Sequence, residues 1–458
     1  MTGNGNRWWL VAGAGLAVFM VALDSSIVNV ALPTIGRAFH SPAAVIQWTI
    51  LGYLLPAVAL VLPAGRWLDR NGRRPAFLLA VAGFAASSAV AGTARGIGWL
   101  ITARIIQGVF GALLSALFPA LVSGAVQPKV RARAMSVVAT LGPLGAVTGP
   151  AVGGFLISTV GWPWIFFVNV PVSLAVIAIG LRTLEASGGL RLPGPDWLAE
   201  SGLLAVASAI LLGALTQAPL HGMVWLLAAI AVMPLVAVWR RLPSSRPVAE
   251  LMRAPGIAGP VVTLLLNVSG IAGAGFIAPF YLQQVLHVGS ATTGLVVLTL
   301  PLGMAATSTL GGYLADRWGA RQVTVVGTLV IAAGLVLAAP LAGSWRPVDI
   351  GWRLAVIGVG LGLFAGPNLA VAMQEAPRHL LATTGATTSL ARSLAFALGP
   401  AVATIPWALS AYSLSGMRQA VGICAGVAAL SALLRGVSAI RNRQAPASAV
   451  TEAEKTAA

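Results

Sequence analysis

The chain has 458 residues, of which 58% are hydrophobic and only 9% are charged. Soluble domains carry about 25% charged residues, so this composition excludes an ordinary soluble protein. The net charge of +17 comes from arginines and lysines in short segments between apolar runs. That placement indicates membrane topology, and we expect no nucleic-acid partner.

Apolar runs long enough to cross a bilayer recur along the whole chain. We therefore predict an all-α integral membrane protein with fourteen transmembrane helices, separated by turn residues and charges. The predicted spans are 8–33, 44–65, 75–94, 98–124, 132–156, 162–182, 197–216, 222–240, 256–283, 292–314, 322–342, 352–373, 380–409 and 417–439.

The distribution of arginine and lysine predicts the orientation of these spans. With the N-terminus in the cytoplasm, 21 of the 28 basic residues fall in inner segments and 5 in outer segments. The other two, Arg104 and Arg392, lie within spans. Because cytoplasmic loops carry an excess of Lys and Arg, we expect a multi-pass protein of the cell inner (cytoplasmic) membrane with both termini in the cytoplasm.

Two segments 247 residues apart, GRWLDRNGRR (65–74) and GYLADRWGAR (312–321), share the same pattern of Gly, Asp-Arg, Gly and Arg. Parallel repeats are typical of transporters built from two related halves. Eight predicted spans separate the copies, which fits a six-helix half followed by two inserted helices. The expected parts are an N-terminal six-helix bundle (1–184), two additional helices with cytoplasmic linkers (185–254), a C-terminal six-helix bundle (255–440) and a disordered cytoplasmic tail (441–458).

One carboxylate lies inside the first apolar run, where Asp24 stands in VALDSSIVNVALP (21–33). A charged Asp at the centre of a membrane helix costs about 2.5–3.5 kcal/mol on insertion scales. Burial favours the neutral carboxyl. We therefore expect Asp24 to be neutral when buried and charged when its cavity opens, so that it loads a proton outside and releases it inside. The alternative is an Asp that only fixes helix packing.

A second embedded charge, Arg104, lies about two turns into the fourth span, and Gln107 follows one turn later. A guanidinium does not lose its proton in proteins. Arg104 is therefore either a counter-charge beside the proton site or a side chain that snorkels to the interface. The same two alternatives hold for Arg392 in the thirteenth span.

The repeated loop combines glycines, which allow tight turns, with charges that can bond a neighbouring helix end and lock one conformation. Simple solvation of a loop is the alternative. The candidate residues are Gly65, Asp69, Arg70, Gly72, Arg73 and Arg74 in the first copy and Asp316 and Arg317 in the second.

In the fifth predicted span, Gly145, Gly149 and Gly153 follow one another at intervals of four and form a groove along one helix face. Pro150 removes a helix hydrogen bond and can kink the span, and Gly154 completes the set. Such a groove suits a helix that bends or slides during alternating access. Generic packing of a glycine-rich membrane helix is the alternative.

These segments resemble the motifs of a known family. GRWLDRNGRR resembles the loop signature of the major facilitator superfamily, and LDSSIVNVALP resembles the first-span signature of its fourteen-span drug:proton antiporters. ARIIQGVFGALLSA (103–116), GAVTGPAVGGFL (145–156) and WPWIFFVNVPV (162–172) resemble the motifs of the fourth, fifth and sixth spans. Two positions depart from the pattern, because Ser26 replaces the usual Thr and Pro163 the usual Arg.

The resemblance implies a proton-coupled antiporter that exports amphipathic small molecules, such as drugs or toxic compounds, by alternating access. It ties Asp24 to proton coupling or cationic-substrate binding, and Arg104 to modulation of that site. The alternatives are a dedicated exporter of one metabolite, lipid, peptide or natural product, and a proton symporter for uptake.

Nucleotide-binding and hydrolase motifs are absent from the sequence, so we expect neither ATP hydrolysis nor an enzyme. We expect no metal and no cofactor, with the proton motive force as the energy source. The expected partners of this monomer are a small amphipathic substrate, protons and the lipid bilayer. Because Asp24 is the one acid found deep in a predicted span, we expect neutral, zwitterionic or monocationic substrates.

Overall fold

The computed structural model describes residues 7–69, 71–185 and 188–444, and within these ranges the regular structure is entirely helical. The first nine α-helices are α1 (Trp8–Ala38), α2 (Ala43–Ile46), α3 (Trp48–Asp69), α4 (Arg73–Gly92), α5 (Ile97–Ala125), α6 (Pro128–Thr159), α7 (Trp164–Phe167), α8 (Asn169–Thr183) and α9 (Pro195–His221). The others are α10 (Val232–Trp239), α11 (Arg246–Arg253), α12 (Ala258–Phe280), α13 (Ser290–Val297), α14 (Thr299–Trp318), α15 (Ala320–Ala338), α16 (Pro347–Glu375), α17 (Leu381–Leu409) and α18 (Leu414–Gln444).

Local sequence explains where several of these helices begin and end. Pro128, Pro195 and Pro347 stand at helix starts, where the missing N–H removes no helix hydrogen bond. Gly222 and Gly319 follow the last residues of α9 and α14 with φ of 109° and 92°. Residues with a Cβ rarely adopt this conformation, so glycine stops both helices.

Twelve helical segments within the described residues are long and apolar enough to cross a membrane. Each coincides with a predicted span, which makes the chain a multi-pass membrane protein. The predicted fifth and eighth spans fall on shorter apolar helices, Leu144–Thr159 and Val224–Trp239. The count of fourteen is therefore not confirmed by helix length and hydropathy.

The helices pack in two groups. In the first group, α1 packs against α5, α6 and α8, while α3 and α4 both pack against α5. In the second group, α12 packs against α17 and α18, and α16 packs against α14 and α15. Helix α9 contacts α3 of the first group and α17 of the second, so it lies along the seam between the groups.

Polar contacts between the two groups are concentrated at the end of the molecule where α1 finishes, which we call the tied end. Gln283 lies just after α12, in the second group. Its side chain donates to the carbonyl of Val30 in α1 at 3.1 Å and accepts from Arg37 of the same helix at 3.1 Å. Thr404 of α17 donates to the Gln47 side chain, beside α3, at 2.9 Å. Every described hydrogen bond between the groups lies at this end.

Candidate functional site

The Asp24 carboxylate lies at the middle of α1 and is fully buried. Its Oδ2 accepts a hydrogen bond from Nη1 of Arg104 at 2.7 Å. Its Oδ1 accepts from Nε2 of Gln107 at 3.0 Å and from Nδ2 of Asn169 at 2.7 Å. Asp24, Arg104 and Gln107, which were expected at the proton or substrate site, therefore meet in one buried cluster.

The Arg104 guanidinium is held on several sides. Its Nη1 also donates to the side-chain oxygen of Gln107 at 2.7 Å, and its Nε donates to the carbonyl of Thr49 at 3.0 Å. The ring centroid of Tyr53 lies 4.3 Å from the guanidinium carbon, within the range of a cation–π contact. Arg104 is only 1% exposed, so it does not snorkel to an interface.

The expectation that Asp24 is neutral when buried stays a prediction. One cation and two amide N–H groups point at its two oxygens, so both oxygens of the carboxylate accept hydrogen bonds. Arg104, Gln107 and Asn169 thereby replace the water that burial removes from this carboxyl group. Loss of one partner from a buried ion pair costs about 3–5 kcal/mol, because the other charge stays buried and unpaired.

Asn169 is a member of the site that was not predicted from the sequence. Asn169 begins α8 and also donates to the Ser88 hydroxyl at 3.0 Å, which in turn donates to the Phe166 carbonyl at 2.9 Å. The sequence feature that could have indicated Asn169 is its position as an amide inside the apolar run WPWIFFVNVPV. A polar side chain in a membrane helix commonly bonds to a neighbouring helix, and here α8 supplies that bond to α1.

Residues 14–400 and 261–456 match the sequence profile of the Major Facilitator Superfamily. The chain belongs to the major facilitator superfamily. The tetracenomycin C resistance and export protein of Streptomyces glaucescens is 32% identical over 410 residues, which cover 87% of this chain and 76% of that relative. The multidrug resistance protein Stp of Mycobacterium tuberculosis is 32% identical over 411 residues, covering 87% and 75% of the two chains.

Solved structures of other transporters share the fold. The partially occluded, inward-open xylose transporter XylE from E. coli aligns with a TM-score of 0.64 at 15% identity, over 96% of this chain and 98% of that one. An inward-facing bacterial homologue of the human lysosomal transporter Spinster aligns with a TM-score of 0.67 at 18% identity, over 95% and 97%. Membership of the superfamily makes this chain a membrane transporter and not an enzyme.

In the superfamily loop motif, the first copy packs against the linker that leads to α9. Arg70, the side chain of Asp69 and the surroundings of Gly65 lie outside the part of the molecule that the structure describes. The backbone N–H of Gly72 donates to the carbonyl of Gly189 at 3.4 Å. The predicted ion-pair lock therefore stays a prediction, whereas contact with this linker is observed.

The remaining charges of the loop motif lie mostly at the surface. Arg73 is exposed and Arg74 is half-buried at the start of α4. In the second copy Asp316 is exposed, and Arg317 donates to the Tyr313 hydroxyl of the same helix at 3.2 Å. Gly72, where the sequence predicts a tight turn, has a φ of −61° that any residue can adopt. In the second copy, Gly319 has a φ of 92°, a conformation that favours glycine.

The glycine groove of α6 receives α1, the helix that carries Asp24. A Cβ added at Gly145 would overlap the carbonyl oxygen of Phe19, and one added at Gly149 would overlap the hydroxyl oxygen of Ser26. Gly153 meets α1 in the same way one turn later. The predicted close approach of a neighbouring helix is therefore present, directly beside the Asp24 site.

Another face of α6 contacts the second group near the tied end. A Cβ at Gly154 would lie 2.5 Å from the carbonyl oxygen of Ser290, and one at Gly294 would overlap the carbonyl oxygen of Pro150. Pro150 does not interrupt α6, which continues from Pro128 to Thr159. Helix α6 therefore contacts both the Asp24 helix and the interface between the groups.

Proposed function

We propose that the chain is a proton-coupled antiporter that exports amphipathic small molecules across the cytoplasmic membrane by alternating access. The observation that carries this proposal is the buried pair of Asp24 and Arg104, 2.7 Å apart where α1 passes α5. Ionisable groups inside membrane helices commonly belong to proton or substrate pathways. The names of the two relatives, which include resistance and export, support the outward direction of transport.

In this mechanism, the arrangement with Asp24 ionised and bound to Arg104 follows the release of a proton. Protonation of Asp24 removes the charge that holds Arg104, so the protonated protein favours a conformation in which water reaches the cluster from the other side. Return to the present arrangement restores the ion pair and expels the proton. The difference in carboxylate environment between the two conformations supplies the coupling.

Helix α6 provides a physical connection between this site and the change of conformation. Gly145 packs on α1 residues that precede Asp24, and Gly149 packs on α1 residues that follow it. Gly154 packs on α13 of the second group. Separation of the groups at the tied end would change the contacts of α6. Because the groove leaves no space for a Cβ, a shift of α6 would be transmitted to α1.

We propose that the tied end faces the outside, so that the described arrangement is inward-facing with both termini in the cytoplasm. The bias of basic residues toward the opposite end supports this orientation. The two groups of helices then correspond to bundles over residues 1–184 and 255–440, with residues 185–254 supplying two further helices.

Fourteen spans are compatible with the two shorter apolar helices. Helix α6 has 32 residues in total, and its length of about 48 Å exceeds the hydrocarbon thickness. The eighth span begins as a 3₁₀ helix, Met223–Ala231, and continues as α10. Since a 3₁₀ helix rises about 2.0 Å per residue, the combined segment is about 30 Å long, enough to cross the hydrocarbon core.

A dedicated exporter of one compound is the second candidate. The observation that favours it is the relative named for export of a single compound, tetracenomycin C, which is 32% identical to this chain. The chemistry of the Asp24 cluster would be the same for both candidates. They differ in how many unrelated compounds are exported.

Dye accumulation in cells tests the proposal. Cells that lack their own efflux pumps are given acidic, neutral and cationic fluorescent compounds, with and without the protein and with and without an uncoupler. We expect lower accumulation of several compounds in cells with the protein, and loss of that difference when the uncoupler is added. Export that persists after uncoupling would contradict proton coupling. Export of one compound alone would favour the dedicated exporter.

A further inference from the structure

Arg392 is a charge within the membrane-spanning helices that the Asp24 cluster does not use. It lies eleven residues after the first residue of α17, about 16 Å along the helix. Its side chain is exposed. A guanidinium at this depth is strongly unfavourable against lipid, so such residues usually face a bundle interior or a water-filled cavity. The neighbours of α17 decide which side Arg392 faces.

Two contacts of α17 fix its rotation. Gly399 packs directly on the backbone of Ser269 in α12. Thr404 donates to Gln47 beside α3. Successive side chains of an α-helix are about 100° apart around its axis. The Arg392 side chain therefore leaves α17 on the side of α12, between the directions of α12 and α3.

The opposite side of α17 is covered by α9. Leu212 of α9 packs in one cluster with Leu51 of α3 and with Ala397 and Ala401 of α17. On the helical wheel, these alanines lie about 140–180° from Arg392. Helices α1, α3, α17 and α12 form a ring in which each contacts the next. Arg392 therefore faces the interior of this ring and not the lipid outside it.

Within the described residues, Arg392 makes no ion pair and no hydrogen bond through its side chain. The two acids placed well inside described membrane-spanning helices are engaged elsewhere. Asp24 is bound by Arg104, and Glu200 lies on α9, where Trp239 donates to it at 3.5 Å. The interior of the ring therefore presents a positive charge without a described carboxylate to balance it.

The residues beside Arg392 indicate what it would bind. Ser389 and Phe396, one turn before and one turn after it, are exposed on the same face of α17. A planar guanidinium binds a carboxylate through two parallel hydrogen bonds. The aromatic ring of Phe396 offers an apolar surface to the rest of such a ligand. This combination of cation, hydroxyl and aromatic ring fits an aromatic or otherwise apolar acid.

We propose that Arg392 is a substrate-binding residue of the transport cavity and that the preferred substrates are amphipathic acids. This inference rests on the proposed function and replaces the expectation of neutral, zwitterionic or monocationic compounds. It also has an energetic consequence. Exchange of one inward proton for one outward monoanion moves two charges in the same electrical direction, so the membrane potential would drive export of acids more strongly than export of neutral compounds.

Binding of a matched pair of ligands to the purified protein tests the proposal. Isothermal titration calorimetry would compare 2-naphthoate with the uncharged 2-naphthamide at neutral pH. We expect the wild type to bind the acid at least about tenfold more tightly than the amide, as is typical of charge-assisted hydrogen bonds. Arg392→Gln should abolish this preference, and Arg392→Lys, which keeps the charge without the fork, should retain part of it. Equal affinity of the wild type for both ligands would overturn the proposal.

Two controls keep the result interpretable. Arg240→Gln removes an exposed arginine next to α10, and it should leave the preference for the acid unchanged. Thermal unfolding of Arg392→Gln should match the wild type. If that variant does not fold, Arg392→Lys decides: it should prefer the acid less strongly than Arg240→Gln does, and an equal preference would overturn the proposal. Efflux of both compounds from cells is measured in parallel. Arg392-dependent binding without efflux of any compound would contradict the proposed function alone, whereas efflux without preference for the acid would contradict this inference alone.

Discussion

Replacement of Arg104 by glutamine should destabilise the protein more than simultaneous replacement of Arg104 and Asp24. In the single variant, the carboxylate stays buried with two amide donors but without a cation. Asp24 is 0% exposed and Arg104 is 1% exposed, so water cannot take the place of the missing guanidinium without a structural change. We expect a loss of about 3–5 kcal/mol of unfolding free energy for Arg104→Gln.

The double variant, Asp24→Asn with Arg104→Gln, removes both charges and keeps similar side-chain volumes. Most of the lost stability should therefore return. Thermal unfolding of the purified protein, followed by tryptophan fluorescence, measures the two single variants and the double variant. Arg7→Gln is the matched control, because the Arg7–Glu185 pair is exposed and exposed pairs contribute little. Single variants that unfold like the wild type, or a double variant with the summed losses of both singles, would refute this reasoning.

Two further predictions concern packing and topology. Gly145→Ala should lower both stability and transport, because its Cβ would overlap a carbonyl oxygen of α1. Gly422→Ala has open space around the added Cβ and should change neither. Equal stability and transport in the two variants would show that the glycine groove is not needed. Single cysteines placed in 66–74 and in 315–321, in a Cys424→Ala background, should react with impermeant thiol reagents only from the cytoplasmic side. Labelling of either loop from outside would contradict the orientation.

The positions of the spans were predictable because the length of an apolar run sets where a helix can cross a bilayer. The eighth predicted span shows the limit of that rule. Its first half is a 3₁₀ helix, Met223–Ala231, and hydrophobicity alone does not distinguish 3₁₀ from α geometry. The number of spans was therefore less secure than their positions.

The members of the Asp24 cluster were largely predictable, because a charge in an apolar helix stands out. The hydrogen bonds within the cluster were not predictable. Which donors reach the Asp24 carboxyl group depends on which faces of α1 and α5 meet, and a span that is apolar on all sides carries no periodic signal for its rotation. The same ambiguity hid the role of Asn169 and left the direction of Arg392 open until the contacts of α17 were known.

Proton release during substrate transport tests the central claim most directly. Everted membrane vesicles that contain wild-type protein or Asp24→Asn are energised and given one neutral and one acidic aromatic compound, and substrate uptake and proton efflux from the vesicle lumen are followed together. The account predicts that the wild type exchanges protons for both compounds. It also predicts that Asp24→Asn inserts at a comparable level and loses substrate-dependent proton movement for both. Normal exchange of both compounds for protons by Asp24→Asn would show that Asp24 only fixes helix packing, and would contradict the account.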